Sequence, residues 1–118
     1  MSRLNLDSAE NLAVRMRQDL QISLSEPVNA KTVLRVLGII TLYRPLSDSL
    51  YGLSVKSSDN RYRFMLVNSN TTRGRQHFTI AHELYHLYYD ADPHPHFCQD
   101  GNLDESERAA NMFARAFL

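Results

Sequence analysis

The segment Phe78-Thr79-Ile80-Ala81-His82-Glu83-Leu84-Tyr85-His86-Leu87-Tyr88-Tyr89 constrains this chain more than any other part of it. Ile80, Leu84 and Leu87 recur at helical spacing on one side, and Phe78, Ala81, Tyr85 and Tyr88 on another. A helix that is apolar on two sides is a buried helix. The narrow stripe left over holds His82, Glu83 and His86, and polar groups in a dry interior cost free energy unless they find partners. The helix is expected to begin near Thr72 or Arg73 and to end at about Tyr89.

His82-Glu83-Leu84-Tyr85-His86 is an H-E-x-x-H pattern. Residues four apart lie one above the other on a helix face, so two imidazoles at this spacing can each place a nitrogen about 2.0–2.1 Å from one zinc ion. Glu83 is turned by about 100° from His82 and projects beside such an ion, within reach of its water, as a general base must. The competing reading makes His82 and His86 core histidines with Glu83 as an ion-pair partner. That leaves three costly buried groups without a purpose. A catalytic zinc site needs a third protein ligand and one open position. Spacing offers Glu107, Glu105 and Asp104 at the start of a later helix, where acids are also common simply because the helix dipole favours them. His94, His96 and Cys98 form a second group between these helices. Their spacing among prolines fixes no ligand geometry, and the expectation is a mobile loop beside a cleft, one of whose histidines can hydrogen-bond a substrate. No base is fixed beside Cys98, which argues against a nucleophilic role.

Around this helix the periodicities alternate. A first helix is expected from about Ala9 to Leu20, with Asp7 and Glu10 resembling a capping box. A second, short helix follows Asn29 and stops at Gly38. Ile39–Tyr43, Leu50–Val55 and Tyr62–Val67 read as strands, the last two joined as a hairpin at Ser57-Ser58-Asp59-Asn60. Asp90 to Asn102 reads as a loop. A last helix runs from an N-cap at Asp104 to Leu118 with no Gly or Pro stop, as expected of a chain truncated at its C-terminus.

The expected architecture is α+β. A small three-stranded, mainly antiparallel sheet packs against the H-E-x-x-H helix, with N- and C-terminal helices completing the core. All 118 residues are expected in one domain: helical to about 38, sheet over about 39–67, motif helix about 73–89 and final helix about 104–118. Thirteen basic residues balance thirteen acidic ones, which gives no footprint for direct nucleic-acid binding. The single cysteine fits a reducing compartment, and neither a signal peptide nor a membrane span is legible, so a cytoplasmic location is expected.

Arg75-Gln76-His77-Phe78-Thr79-Ile80-Ala81-His82-Glu83-Leu84-Tyr85-His86, followed by Glu107-x-x-Ala110-Asn111-x-Phe113-Ala114, resembles the ImmA/IrrE family of metallopeptidases. Its members carry R-x-x-F-T-x-A-H-E-L-G-H and, later, E-x-x-A-N-x-F-A. The likeness extends over about residues 27 to 118. It implies Zn2+ held by His82, His86 and Glu107 in a gluzincin-like arrangement, Glu83 as catalytic base, and Asn111 orienting a ligand through its amide. It further implies a cytoplasmic endopeptidase, often on mobile elements, that cleaves a helix-turn-helix transcriptional repressor. The alternative from another class is a non-catalytic zinc-containing module that controls a regulator by protein–protein contact. Tyr85 departs from the family's glycine, and its phenol must find room against the sheet or the last helix.

Overall fold

The computed structural model describes residues 2–90, 95–101 and 104–118, with side chains from residue 8 onward. Helices α1 (Ser2–Asp19) and α2 (Ala30–Leu37) precede strands β1 (Ile40–Arg44), β2 (Leu50–Lys56) and β3 (Arg63–Asn68). Helix α3 (Arg73–Tyr88), strand β4 (His96–Gln99) and helix α4 (Glu105–Phe117) follow. The class is α+β, as expected.

Two boundaries differ from the sequence reading. Helix α1 starts at Ser2 and runs through Asp7 and Glu10 instead of being capped there. With no Gly or Pro between Ser2 and Asp19, nothing interrupts helix propagation toward the N-terminus. The sheet has four strands, because His96–Gln99, expected in a loop, pairs antiparallel with β2. Four residues are too few for alternation to announce a strand; the free edge of β2 supplies the partner that makes it one. The other expected element boundaries hold to within a residue or two.

The strand order is β1-β3-β2-β4. The β2–β3 hairpin is antiparallel, and β1 lies parallel to β3 with Leu42 opposite Leu66. The connection from β1 to β2 therefore steps over the end of β3, and Asn68 holds it there. Its Oδ1 accepts from Leu46 N–H at 3.0 Å, and its Nδ2 donates to the carbonyls of Ser47 at 3.1 Å and Leu50 at 2.8 Å. One buried amide thus satisfies three backbone groups that would otherwise be stranded.

Helix α3 lies on one face of the sheet, with Met65, Val67, Ile80, Leu84 and Leu87 buried between them. The approach is close at Gly52. A Cβ there would sit 2.6 Å from the Leu66 carbonyl oxygen and 3.0 Å from Thr79 Cγ2, so only glycine allows this spacing. On the opposite face, Leu42, Leu66, Leu53 and Phe97 make one apolar row across all four strands, with Leu42 and Phe97 exposed.

Helix α4 packs between α3 and α1, its Phe113 and Phe117 buried with Ala9, Ala13 and Met16. Arg17 fixes its far end. The buried guanidinium donates to the backbone oxygens of Phe117 (2.7 Å), Leu118 (3.0 Å), Ser23 (2.6 Å) and Glu26 (3.0 Å). A cation at a helix C-terminus also meets the negative end of the dipole. Arg17→Met is expected to lower stability by about 3 kcal/mol, because the carbonyls lose a charged donor. A shift in the urea midpoint worth less than about 0.5 kcal/mol would show the network to be dispensable.

Candidate metal centre

Helix α3 starts at Thr72, whose side chain accepts from Arg75 N–H, and carries His82, Glu83 and His86 to its buried flank. Helix α4 starts at Asp104, whose carboxylate accepts from Glu107 N–H at 2.9 Å. Asp104 is thus occupied as a cap and Glu105 is exposed, whereas Glu107 is buried and faces α3. Its Oε2 lies 2.6 Å from His86 Nε2 and 3.2 Å from His82 Nε2. The two imidazole Nε2 atoms are 3.3 Å apart. Of the three acids that spacing allowed, the structure brings Glu107 to the histidine pair.

A third histidine joins them. His96, on β4, places Nε2 3.1 Å from Glu107 Oε2 and stacks on His86 with ring centroids 3.5 Å apart. One donor atom from each of His82, His86, His96 and Glu107 falls within 4.8 Å of every other. His96 was grouped in the sequence with His94 and Cys98 as loop; the structure sets His96 in a strand and against the cluster, while His94 lies outside the described residues. A pairing to β2 thirteen residues beyond Glu83 left no trace in the local pattern.

The outer ring atoms are held as closely as the inner ones. His82 Nδ1 is 2.8 Å from Asn111 Oδ1, and His86 Nδ1 is 2.5 Å from Asp90 Oδ2. Ser106 Oγ donates to the same Asp90 oxygen at 2.6 Å. His96 Nδ1 is 3.0 Å from both carboxylate oxygens of Glu83. Each contact asks Nδ1 to carry a hydrogen, so that Nε2 is the nitrogen that would offer its lone pair to a bound ion. Asp90, Ser106 and Ser54 were not singled out from the sequence. Ser54 was visible only as a small polar residue on the inward face of β2. Its hydroxyl donates to Glu83 Oε1 at 2.5 Å.

This donor set fits a divalent metal ion. A tetrahedral ion with bonds of about 2.0–2.1 Å separates its ligand atoms by roughly 3.3 Å. The separations of 3.1, 3.2 and 3.3 Å match that edge. The 2.6 Å pair, His86 with Glu107, is a charge-assisted hydrogen bond that a bound ion would replace and widen. Glu83 Oε2 stands 3.9 Å from His82 Nε2, beside the centre and outside the set of four.

A cleft of about 230 Å³ opens over His82, Glu107 and Asn111, with Arg75, Phe78 and Arg115 on its walls. A larger hollow of about 660 Å³, lined by Val28, Lys31, Tyr43, Arg73 and His77, lies on the other side of α3 and touches none of the four donors. Tyr85 lodges toward α4, its ring 5.9 Å from that of Phe113 and edge-on to His86. The phenol therefore fills the α3–α4 seam. Burial pushes the Cys98 thiol well above its usual range, which leaves it protonated and unreactive.

A family model described as the IrrE N-terminal-like domain, a peptidase family, matches residues 34–118. The chain belongs to that family. No curated protein matches it in sequence. The family match takes in β1 through α4 and the end of α2, and so all four donors; α1 lies outside it. The chain thus carries a metallopeptidase-family domain with a cluster suited to a metal ion. Among the described residues no helix is long and apolar enough to cross a membrane.

Without metal, the three imidazoles surround the Glu107 carboxylate. Burial alone would raise the Glu107 carboxyl, but hydrogen bonds from His82, His86 and His96 outweigh it and hold the group far below the ordinary carboxylate range. Burial disfavours charge on His96, yet its bonds to Glu107 and Glu83 lift its pKa from 6.5 to about 10. A histidine whose folded pKa is raised stabilises the fold fully below its unfolded value, and the contribution is lost as pH climbs through the folded one. Chelator-treated protein is therefore expected to lose thermal stability between pH 6.5 and about 10. His96→Gln should flatten that decline; equal slopes in the two proteins would count against a charged His96.

Proposed function

We propose that this protein is a zinc-dependent endopeptidase of the cytoplasm, and that its substrate is a helix-turn-helix transcriptional repressor. The observation that carries the enzymatic part is the convergence of His82, His86 and Glu107 from two helices, beside a buried Glu83, within a peptidase-family domain. The repressor rests on the resemblance of both sequence motifs to the ImmA/IrrE proteins.

In this reading His82, His86 and Glu107 would hold the ion, with Asn111 and Asp90 fixing the two imidazole rings through Nδ1. A zinc ion bound there would supply a Lewis acid for the scissile carbonyl and for water. Glu83 would take one proton from the attacking water as the water oxygen forms the new bond to the carbonyl carbon. It returns the proton to the amine nitrogen as the carbon–nitrogen bond breaks, so the carboxylate ends as it began. Ser54, by donating to Oε1, keeps the other carboxylate oxygen turned toward the centre. The cleft beside Arg75 and Arg115, which opens over His82 and Glu107, is where the substrate would enter.

Protein prepared without chelator is expected to contain about one zinc per chain, and His82→Ala to lose it; a wild-type content well below one, unchanged by the substitution, would remove the basis of the reading. Glu83→Gln is expected to keep the metal while cleavage of a co-expressed repressor falls by at least about a hundredfold. Cleavage at the wild-type rate would refute the base assignment. A stable, uncleaved repressor complex with wild-type protein would favour the regulatory module instead.

A further inference from the structure

All three imidazoles in the cluster are built alike. Each is fixed at Nδ1 by an acceptor and aims Nε2 at the same carboxylate oxygen: Asn111 holds His82, Asp90 holds His86 and Glu83 holds His96. A carboxylate or amide behind a histidine is the usual support of a metal-bound ring, because it sets the tautomer and the ring plane. The backing of His96 matches that of His86: both Glu83 oxygens lie at 3.0 Å and Ser54 donates to that carboxylate, as Ser106 donates to Asp90 behind His86.

We infer that His96 is a fourth protein donor to the metal, so that the resting site is closed by three imidazoles and one carboxylate. The inference rests on the metallopeptidase reading and adds a state to it. The metal takes the place of the hydrogen bond between His96 Nε2 and Glu107 Oε2, which are already 3.1 Å apart. Four protein donors complete a tetrahedral shell and leave no position for water. Glu83 is then engaged twice, by Ser54 and by His96, and is not free to take a proton.

Opening the site means withdrawing His96, and its place in the fold permits that. Strand β4 is the edge of the sheet and four residues long, and among the described residues its ladder is to β2 alone, with an irregularity between Leu50 and Gly52. His82, His86 and Glu107, by contrast, stand on helices locked into the core. When His96 leaves, one coordination position and the Glu83 carboxylate are released together. The peptide-cleaving state is thus reached by exchanging an imidazole for a substrate.

X-ray absorption at the zinc edge on wild-type holoprotein tests this without any substitution. Three imidazoles and one oxygen are expected; two imidazoles with added oxygen would overturn the fourth donor and leave the peptidase reading intact. Retention of no zinc at all would remove both. With cobalt in place of zinc, the wild-type visible spectrum should be that of a closed four-coordinate ion, indifferent to added acetohydroxamate. His96→Gln and His96→Ala should make the spectrum respond to acetohydroxamate and weaken cobalt binding by at least about tenfold. A wild-type spectrum that responds as readily as the variants', with equal affinity, would also overturn the inference.

Discussion

One buried carboxylate organises this molecule. Glu107 Oε2 meets imidazole nitrogens of His82, His86 and His96 at 3.2, 2.6 and 3.1 Å, and the residue is almost wholly removed from solvent. A charge in such a place is expensive unless it is matched on every side. Its partners come from α3 and β4 while the acid itself belongs to α4, so the matching ties three elements through one charge. Whether a metal or protons satisfy the cluster, the positions of α3, α4 and β4 follow from it.

The surroundings serve that demand. Gly52 lets α3 approach the sheet closely enough for Ser54 to reach Glu83. Asp104 starts α4 so that Glu107 falls in its first turn, and Arg17 secures the last turn of the same helix. Asn111, one turn after Glu107, brings its amide to His82, while Asp90 and Ser106 do the same for His86 across the α3–α4 seam. Small displacements of α4 would move the Glu107 carboxylate together with Asn111 and Ser106. Tyr85, which seats the helix through its contact with Phe113, stands edge-on to His86.

Much of this was open to reading along the chain. The two-sided apolar pattern of Phe78 to Tyr88 identified a buried helix, and the spacing of His82 and His86 placed two imidazoles on one face. Asn29 and Gly38 marked the ends of α2, and the Ser57–Asn60 turn marked the hairpin, because caps and turns are local hydrogen-bonding events. Glu107 was recognisable as a candidate only among three acids, and the resemblance to a family singled it out. What remained hidden were Ser54, Asp90, Ser106 and the role of His96. Ser54, Ser106 and His96 act through partners eleven to twenty-nine residues away, as in Ser54 with Glu83 or His96 with Glu107, and Asp90, four residues after His86, stands just past the end of α3.

The sequence by itself determined which segments are helical, which faces turn inward, and that two histidines one turn apart would share a buried stripe with a glutamate. Those are consequences of short-range sterics and of periodicity, and neighbours along the chain suffice to express them. Only the tertiary structure decided that residues His96–Gln99 form a strand, that His96 joins Glu107 and the histidine pair, and that Glu83 supports a third ring. Such choices depend on the free edge of β2 and on the depth at which α4 docks. No local pattern encodes them, because a hydrogen-bonding edge and a dry pocket exist only once the chain has closed around them.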